Sequence, residues 1–229
     1  MKQNRFISKD NPSYRPNTGI RAVAFDCDGV MFDTTRANTA FYNHLLGHFN
    51  RPPLNDIQVR FIQMHTVIES VHYLFGEDRI LEKKAQAFRE TIDYKLFINE
   101  MEMEPDLLAL LRYLKPLYKT GIATNRMDTM AAILEAFNLA NRFDTVVCAL
   151  DVERPKPQPD ELVLVLERLA LMPHQMVYIG DSDLDEEAAK AAGVHFIAYR
   201  NPELSSELHA ERLWDVKVIL ETRMDGKNE

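Results

Sequence analysis

The sequence predicts an α/β fold: a parallel, Rossmann-like sheet with helices on both faces, interrupted after its first strand by an all-helical block. Three observations carry this expectation. The run from Ile20 to Asp26 is short and apolar, ends in acid and glycine, and reads as a buried strand. From Thr34 to about Glu102 apolar residues recur at helical spacing, with no strand pattern. After Pro105 helix and strand patterns alternate, as in a parallel sheet covered on both sides.

Taken in order, residues 1–19 form an expected arm, broken by Pro12, Pro16 and Gly19. The first strand follows. The helical block then shows Phe41, Leu45 and Phe49; Ile57, Phe61 and Met64; Val67, Ile68, Val71 and Leu74; and Ile80, Ala87, Ile92 and Leu96, with breaks at Pro52-Pro53 and Gly76. The alternating part pairs a helix over Asp106–Leu114 with a strand over Lys119–Thr124, and a helix over Asp128–Phe137 with a strand over Thr145–Ala149. A helix over Asp160–Ala170 leads to a strand over Met176–Ile179, and a helix over Leu184–Ala192 to a strand over His195–Tyr199. A last helix is expected from about Pro202 into the 210s. The expected organisation is therefore one α/β core, residues 20–33 and 104–229, with a helical insertion over residues 34–103.

Bulk properties narrow the function. The chain has 229 residues, is 46% hydrophobic, and carries a formal net charge of -8. An acidic surface repels nucleic-acid phosphates and anionic lipid, so neither is an expected partner. An acidic protein that handles a phosphate must find local positive charge in a metal, a lysine or helix N-termini. The cysteines, Cys27 and Cys148, sit in or at the end of apolar runs and read as small core residues rather than a disulfide framework. Residues 1–19 lack an apolar core of signal-peptide length, and no stretch reaches the ~18 apolar residues of a membrane span, so a cytoplasmic setting is expected.

In open parallel sheets, ligands bind beyond the carboxyl ends of the strands. Those ends carry Asp26-Cys27-Asp28-Gly29, Thr124-Asn125-Arg126, Arg154-Pro155-Lys156-Pro157 and Gly180-Asp181-Ser182-Asp183-Leu184-Asp185. Asp26 and Asp28 lie two apart and project to one side of extended chain. Each raises the other's proton affinity, which suits a nucleophile beside a general acid/base. As a lone pair they read more readily as acids capping a turn. Asp181 and its neighbours are not a calcium loop: Glu186 stands where glycine is wanted and Ala192 where the bidentate glutamate belongs. They suit Mg²⁺ shared with Asp26, or simple capping of the following helix. Lys156, between two prolines, is aimed with little entropy loss. Thr124 and the amides beside it can donate to phosphate oxygens. His44 and His48 have zinc-compatible spacing but no third ligand, and read as ordinary histidines.

Asp-Cys-Asp-Gly-Val (26–30), Thr124-Asn125, Lys156-Pro157 and the Gly-Asp-Ser-Asp-Leu-Asp segment from Gly180 resemble, in order, the four motifs of the haloacid dehalogenase superfamily. The likeness runs from about residue 20 to 200. The helical block resembles the cap of its phosphoglycolate phosphatase and β-phosphoglucomutase branch. This resemblance implies a Mg²⁺-dependent phosphatase acting on a small phosphorylated metabolite. It makes Asp26 the nucleophile and Asp28 the acid/base. Asp26, the Asp28 carbonyl and Asp181 would hold the metal, and Asp185 would act from behind them. Thr124, Asn125 and Lys156 would bind phosphate. Dehalogenation itself is disfavoured, because those relatives lack the acid at the Asp28 position. A sugar-phosphate mutase would use the same motifs. A phospho-acceptor signalling domain is disfavoured by the length and by Asp28. Substrate choice falls to the cap, where Arg60, Gln63 and His65 are candidates beside Arg36 and His72, with hinges near Asp33–Thr35 and Glu102–Pro105. A monomer or homodimer is expected.

Overall fold

The computed structural model describes residues 19–222. The expected arm lies outside the described residues except for Gly19. The first strand, β1 (Ala22–Phe25), is wholly buried. A two-residue strand, β2 (Phe32–Asp33), leads into five helices: α1 (Thr35–His48), α2 (Asp56–Met64), α3 (Val67–Phe75), α4 (Arg79–Arg89) and α5 (Lys95–Ile98). Capping boxes start two of them, Asn55 with Gln58 before α2 and Thr66 with Glu69 before α3. The chain returns through β3 (Glu102–Met103), which pairs antiparallel with β2. The two connections expected as hinges thus run side by side as a short ribbon.

The rest alternates: α6 (Leu107–Leu114), β4 (Lys119–Thr124), α7 (Met130–Ala136), β5 (Thr145–Cys148), α8 (Asp160–Leu169), β6 (Met176–Gly180), α9 (Asp183–Ala192), β7 (His195–Tyr199), β8 (His209–Ala210) and α10 (Leu213–Thr222). The sheet is parallel, in the order β5-β4-β1-β6-β7-β8. Strand β1 is interior. The chain builds outward to β4 and β5, then crosses back to β6 on the other side. That reversal opens a crevice at the carboxyl end of β1.

Alternation of side chains along β1 feeds two apolar layers. Val23 and Phe25 join a cluster with α6, α7, α10 and the helical insertion. Ala22 and Ala24 join a second with α8 and α9.

Two expectations are corrected. No helix begins at Pro202: Asn201 accepts from the Glu203 N–H, Ser206 hydrogen-bonds the Phe196 and Leu208 carbonyls, and β8 pairs with β7. These local side-chain bonds and the sheet edge compete successfully with helix formation. Within the insertion, Ile57, Ile68, Ile80 and Leu96 face solvent rather than the core, because short helices offer several apolar stripes and packing selects one. Among the described residues, no helix is long and apolar enough to cross a membrane.

Candidate active site at the sheet crevice

Asp26 follows β1 directly, and its N–H donates to the Ile179 carbonyl of β6. The nucleophile candidate is thereby fixed at the switch point between the two halves of the sheet. Gly29 has φ +76, and a Cβ there would stand 2.0 Å from Asp181 Oδ2. Glycine is required so that the Asp26–Gly29 loop can pass against the Asp181 carboxylate. Gly180 does the same for Asp185, whose Cβ would lie 2.4 Å from an added methyl.

Lys156 is not a solvent lysine. It is 4% exposed, and its Nζ donates to Asp26 Oδ1 (2.8 Å), Asp185 Oδ1 (2.7 Å) and the Tyr178 hydroxyl (2.9 Å). Asp185 is saturated: Oδ1 also accepts from Tyr178, and Oδ2 from the Ser182 hydroxyl and the Ser182 and Asp181 N–H groups. Asp183 is exposed and bonds only the Leu184 N–H, as an acid at a helix start does.

Electrostatics follow from this packing. Burial pushes the Asp26 carboxyl up to about 7, with Lys156 opposing and Asp185 and Asp28 adding to the rise. Burial likewise holds Asp181 well above the usual carboxylate range, reinforced by Asp185 and Asp26. For Asp185, burial is outweighed by the Lys156 ammonium and by its hydrogen bonds, so its carboxyl is lowered. Burial alone would strip the proton from Lys156; Asp185 and Asp26 more than reverse that and keep it charged.

The residues fit a divalent cation. Asp26, Asp181 and Asp185 bring carboxylate oxygens within 4.8 Å of one another. Among the described residues, none donates a hydrogen bond to Asp26 Oδ2 or to the Asp181 carboxylate. Four acids (Asp26, Asp28, Asp181, Asp185) stand with two cations (Lys156, Arg126), so a divalent cation would balance the acids in their ionised form among hard oxygen donors.

Asp28 points the other way. Arg126 grips both its oxygens, Nε to Oδ2 and Nη2 to Oδ1, each at 2.7 Å. Thr34 and Asn38 of the insertion also donate to Oδ1. Asn38 in turn accepts from the Tyr94 hydroxyl (2.6 Å) and donates to Gln63 Oε1 (2.9 Å). Thr124, 1% exposed, ends β4 beside Arg126. The Asn125 side chain donates to the Met64 and Lys156 carbonyls, tying insertion to core.

These groups line one chamber of 110 Å³, roofed by Phe41, Tyr42, Ile62 and Ile92. Gln63 and His65 line it; Arg60 does not and is exposed on α2. Arg36 pairs with Glu100 and His72 with Glu82, both on the exterior. Sequence reasoning passed over Arg126, Asn38, Tyr94 and Arg89. Only Arg126 carried a signal, its place directly after the strand-end Thr124-Asn125.

Comparison with known proteins agrees with this geometry. Residues 23–199 match the model of the haloacid dehalogenase-like hydrolase family. A subfamily IA hydrolase of that superfamily from Geobacter sulfurreducens is 34% identical, with a TM-score of 0.73 over 89% of this chain and 98% of that one. A 74-residue stretch is 46% identical to the phosphoglycolate phosphatase of Escherichia coli, covering 32% of this chain and 29% of that protein. A β-phosphoglucomutase from Clostridium difficile shares the fold, at 18% identity and a TM-score of 0.79 over 91% of this chain and 98% of that one. With the family model matched from the first strand to the end of β7, the chain belongs to the haloacid dehalogenase-like hydrolase family.

Proposed function

We propose that this chain is a Mg²⁺-dependent phosphatase that hydrolyses a small phosphomonoester through an aspartyl phosphate on Asp26. One observation carries the reading. Asp26 is buried at the crevice with one oxygen on Lys156 and its carboxylate grouped with those of Asp181 and Asp185, while Asp28, two residues on, is turned toward the helical insertion.

The division of labour is the one that the family resemblance implies, and it requires Asp28 to leave the Arg126 fork before it can carry a proton. Asp26 attacks phosphorus as the ester P–O bond breaks, and Asp28 gives a proton to the departing oxygen. In the second half Asp28 takes a proton from water as that water attacks the phosphoryl group, restoring Asp26. Lys156 holds Asp26 in place and balances phosphate charge. Thr124 and the main-chain N–H groups beside it receive phosphate oxygens. Asp26, Asp181 and the Asp28 carbonyl would hold Mg²⁺, which when bound screens the anionic nucleophile from the anionic substrate. Asp185, saturated by hydrogen bonds, positions Lys156 and the Asp181 loop.

The helical insertion acts as the cap, closing over the chamber and excluding water. Phosphoglycolate, the substrate named for the Escherichia coli relative, is a short phosphomonoester of this kind.

The test is turnover of an aryl phosphate by purified protein with and without Mg²⁺. Metal-dependent hydrolysis is expected, with a loss of at least about a thousandfold in Asp26→Asn. Retained hydrolysis in that variant would overturn the assignment.

A further inference from the structure

Four donors hold the Asp28 carboxylate, and three of them have another acceptor at hand. The Thr34 hydroxyl and the Asn38 amide, which donate to Oδ1 from the insertion, also reach Gln63 Oε1 at 3.2 and 2.9 Å. Arg126 Nη2 also reaches Asn38 Oδ1 (3.1 Å) and the Tyr94 hydroxyl (3.2 Å). Arg126 Nε is different: it donates to Asp28 Oδ2 at 2.7 Å, and among the described residues it has no second acceptor.

The guanidinium is anchored independently of Asp28. Its Nη1 donates to Thr129 (3.0 Å), and it stands 5.1 Å from the centre of the Tyr94 ring. Its side chain is only 8% exposed, and among the described residues no other carboxylate pairs with it. A buried guanidinium stripped of its carboxylate is an uncompensated charge, which is strongly unfavourable. Asp28 can therefore turn to a reacting ester only if another anion enters the fork.

The phosphoryl group of a substrate is such an anion, and Arg126 is placed to meet it. Arg126 follows Thr124-Asn125 directly, its main-chain N–H donates to the Thr124 hydroxyl (3.3 Å), and it lines the chamber with Asp26, Thr124 and Lys156. A planar guanidinium matches carboxylate and phosphate oxygens with the same pair of parallel bonds.

Building on the phosphatase reading, we propose that Arg126 is a further phosphate-binding residue whose fork is exchanged between Asp28 and the phosphoryl group of the substrate. The exchange ties the acid/base to its substrate: a phosphoryl oxygen on Arg126 releases Asp28, and departure of phosphate returns it to the fork.

The test is a crystal structure of the wild-type protein with Mg²⁺ and tungstate, a phosphate-shaped dianion, joined to calorimetric titration of tungstate into wild type and Asp28→Asn. In the crystal a tungstate oxygen is expected within about 3.2 Å of Arg126 Nε or Nη2, with the Asp28 carboxylate out of the fork. In solution Asp28→Asn, whose neutral side chain yields the fork more readily, is expected to bind tungstate at least about fivefold more tightly. No tungstate oxygen on Arg126, or Asp28 still in the fork beside bound tungstate, would overturn the exchange. So would binding no tighter in Asp28→Asn than in wild type. Failure of the phosphatase reading is separable: it shows as no Mg²⁺-dependent hydrolysis of an aryl phosphate, whatever occupies the fork.

Discussion

The floor and the roof of the chamber are built on opposite plans. On the floor, Lys156, Asp185, Tyr178 and Ser182 satisfy one another in a closed hydrogen-bond network around Asp26. On the roof, Arg89 and Gln63 keep buried donors without acceptors, and the carboxylates that Arg89 does reach, Glu90 and Asp128, are solvated. The floor is finished before a substrate arrives, as electrostatic preorganisation for phosphoryl transfer requires. The floor is held by strand ends of the sheet, and the roof by helices of the insertion.

The largest expected effect breaks the floor. Lys156→Met leaves Asp26 and Asp185 buried together without their cation. Breaking a buried pair in this way costs about 3–5 kcal/mol. Urea unfolding in metal-free buffer measures it, and a cost below about 1 kcal/mol would mean the network is not the structural unit described.

A somewhat smaller effect lies just beneath the floor. Glu161 is fully buried on α8, neither oxygen makes a hydrogen bond of good geometry, and the Lys156 main-chain N–H offers only weak help. Burial pushes its carboxyl up to about 7, Lys156 opposing. The folded chain therefore keeps this proton. The stability that protonation brings is complete below the ordinary glutamate range and is lost as pH rises through about 7. From 4.5 to about 7 the shift corresponds to about 3 kcal/mol. Glu161→Gln is permanently neutral, so its stability relative to wild type should improve by about 1–3 kcal/mol between pH 5 and pH 8. Equal differences at the two pH values would contradict this.

The smallest effect marks where the roof ends. Arg60 is exposed and outside the chamber, so Arg60→Ala should change stability by less than about 0.5 kcal/mol and leave turnover unaltered. A marked loss of turnover would move the cap boundary outward.

This contrast also explains what the sequence made legible. Floor residues sit at strand ends, and strand ends are readable: a buried apolar run must stop somewhere, and in a parallel sheet all the stops share one edge. Asp26, Thr124, Lys156 and Asp181 could be found that way before any coordinates. Roof residues sit on amphipathic helices, where a polar residue facing a chamber and one facing water have the same spacing. Gln63 and His65 were reached by proximity to a helix junction, and the same reasoning offered Arg60, which points away. Arg89 and Tyr94 carried no local mark. Arg126 was visible beside Thr124-Asn125, but its grip on Asp28 depends on a loop–loop approach that no periodicity records. The segment after β7 misled for a related reason: Ser206 and the β7 edge supply hydrogen bonds that outcompete a helix.

The central claim is that Asp26 becomes covalently phosphorylated. It is tested most directly in Asp28→Asn, where a good leaving group needs little acid assistance but the activated water is lost. The variant is exposed briefly to an aryl phosphate with Mg²⁺, quenched in acid and mapped by peptide mass spectrometry. The expected result is one phosphoryl group on the peptide carrying Asp26, absent when Asp26→Asn is added. Release of aryl product with no phosphoryl group on Asp26 would contradict the account.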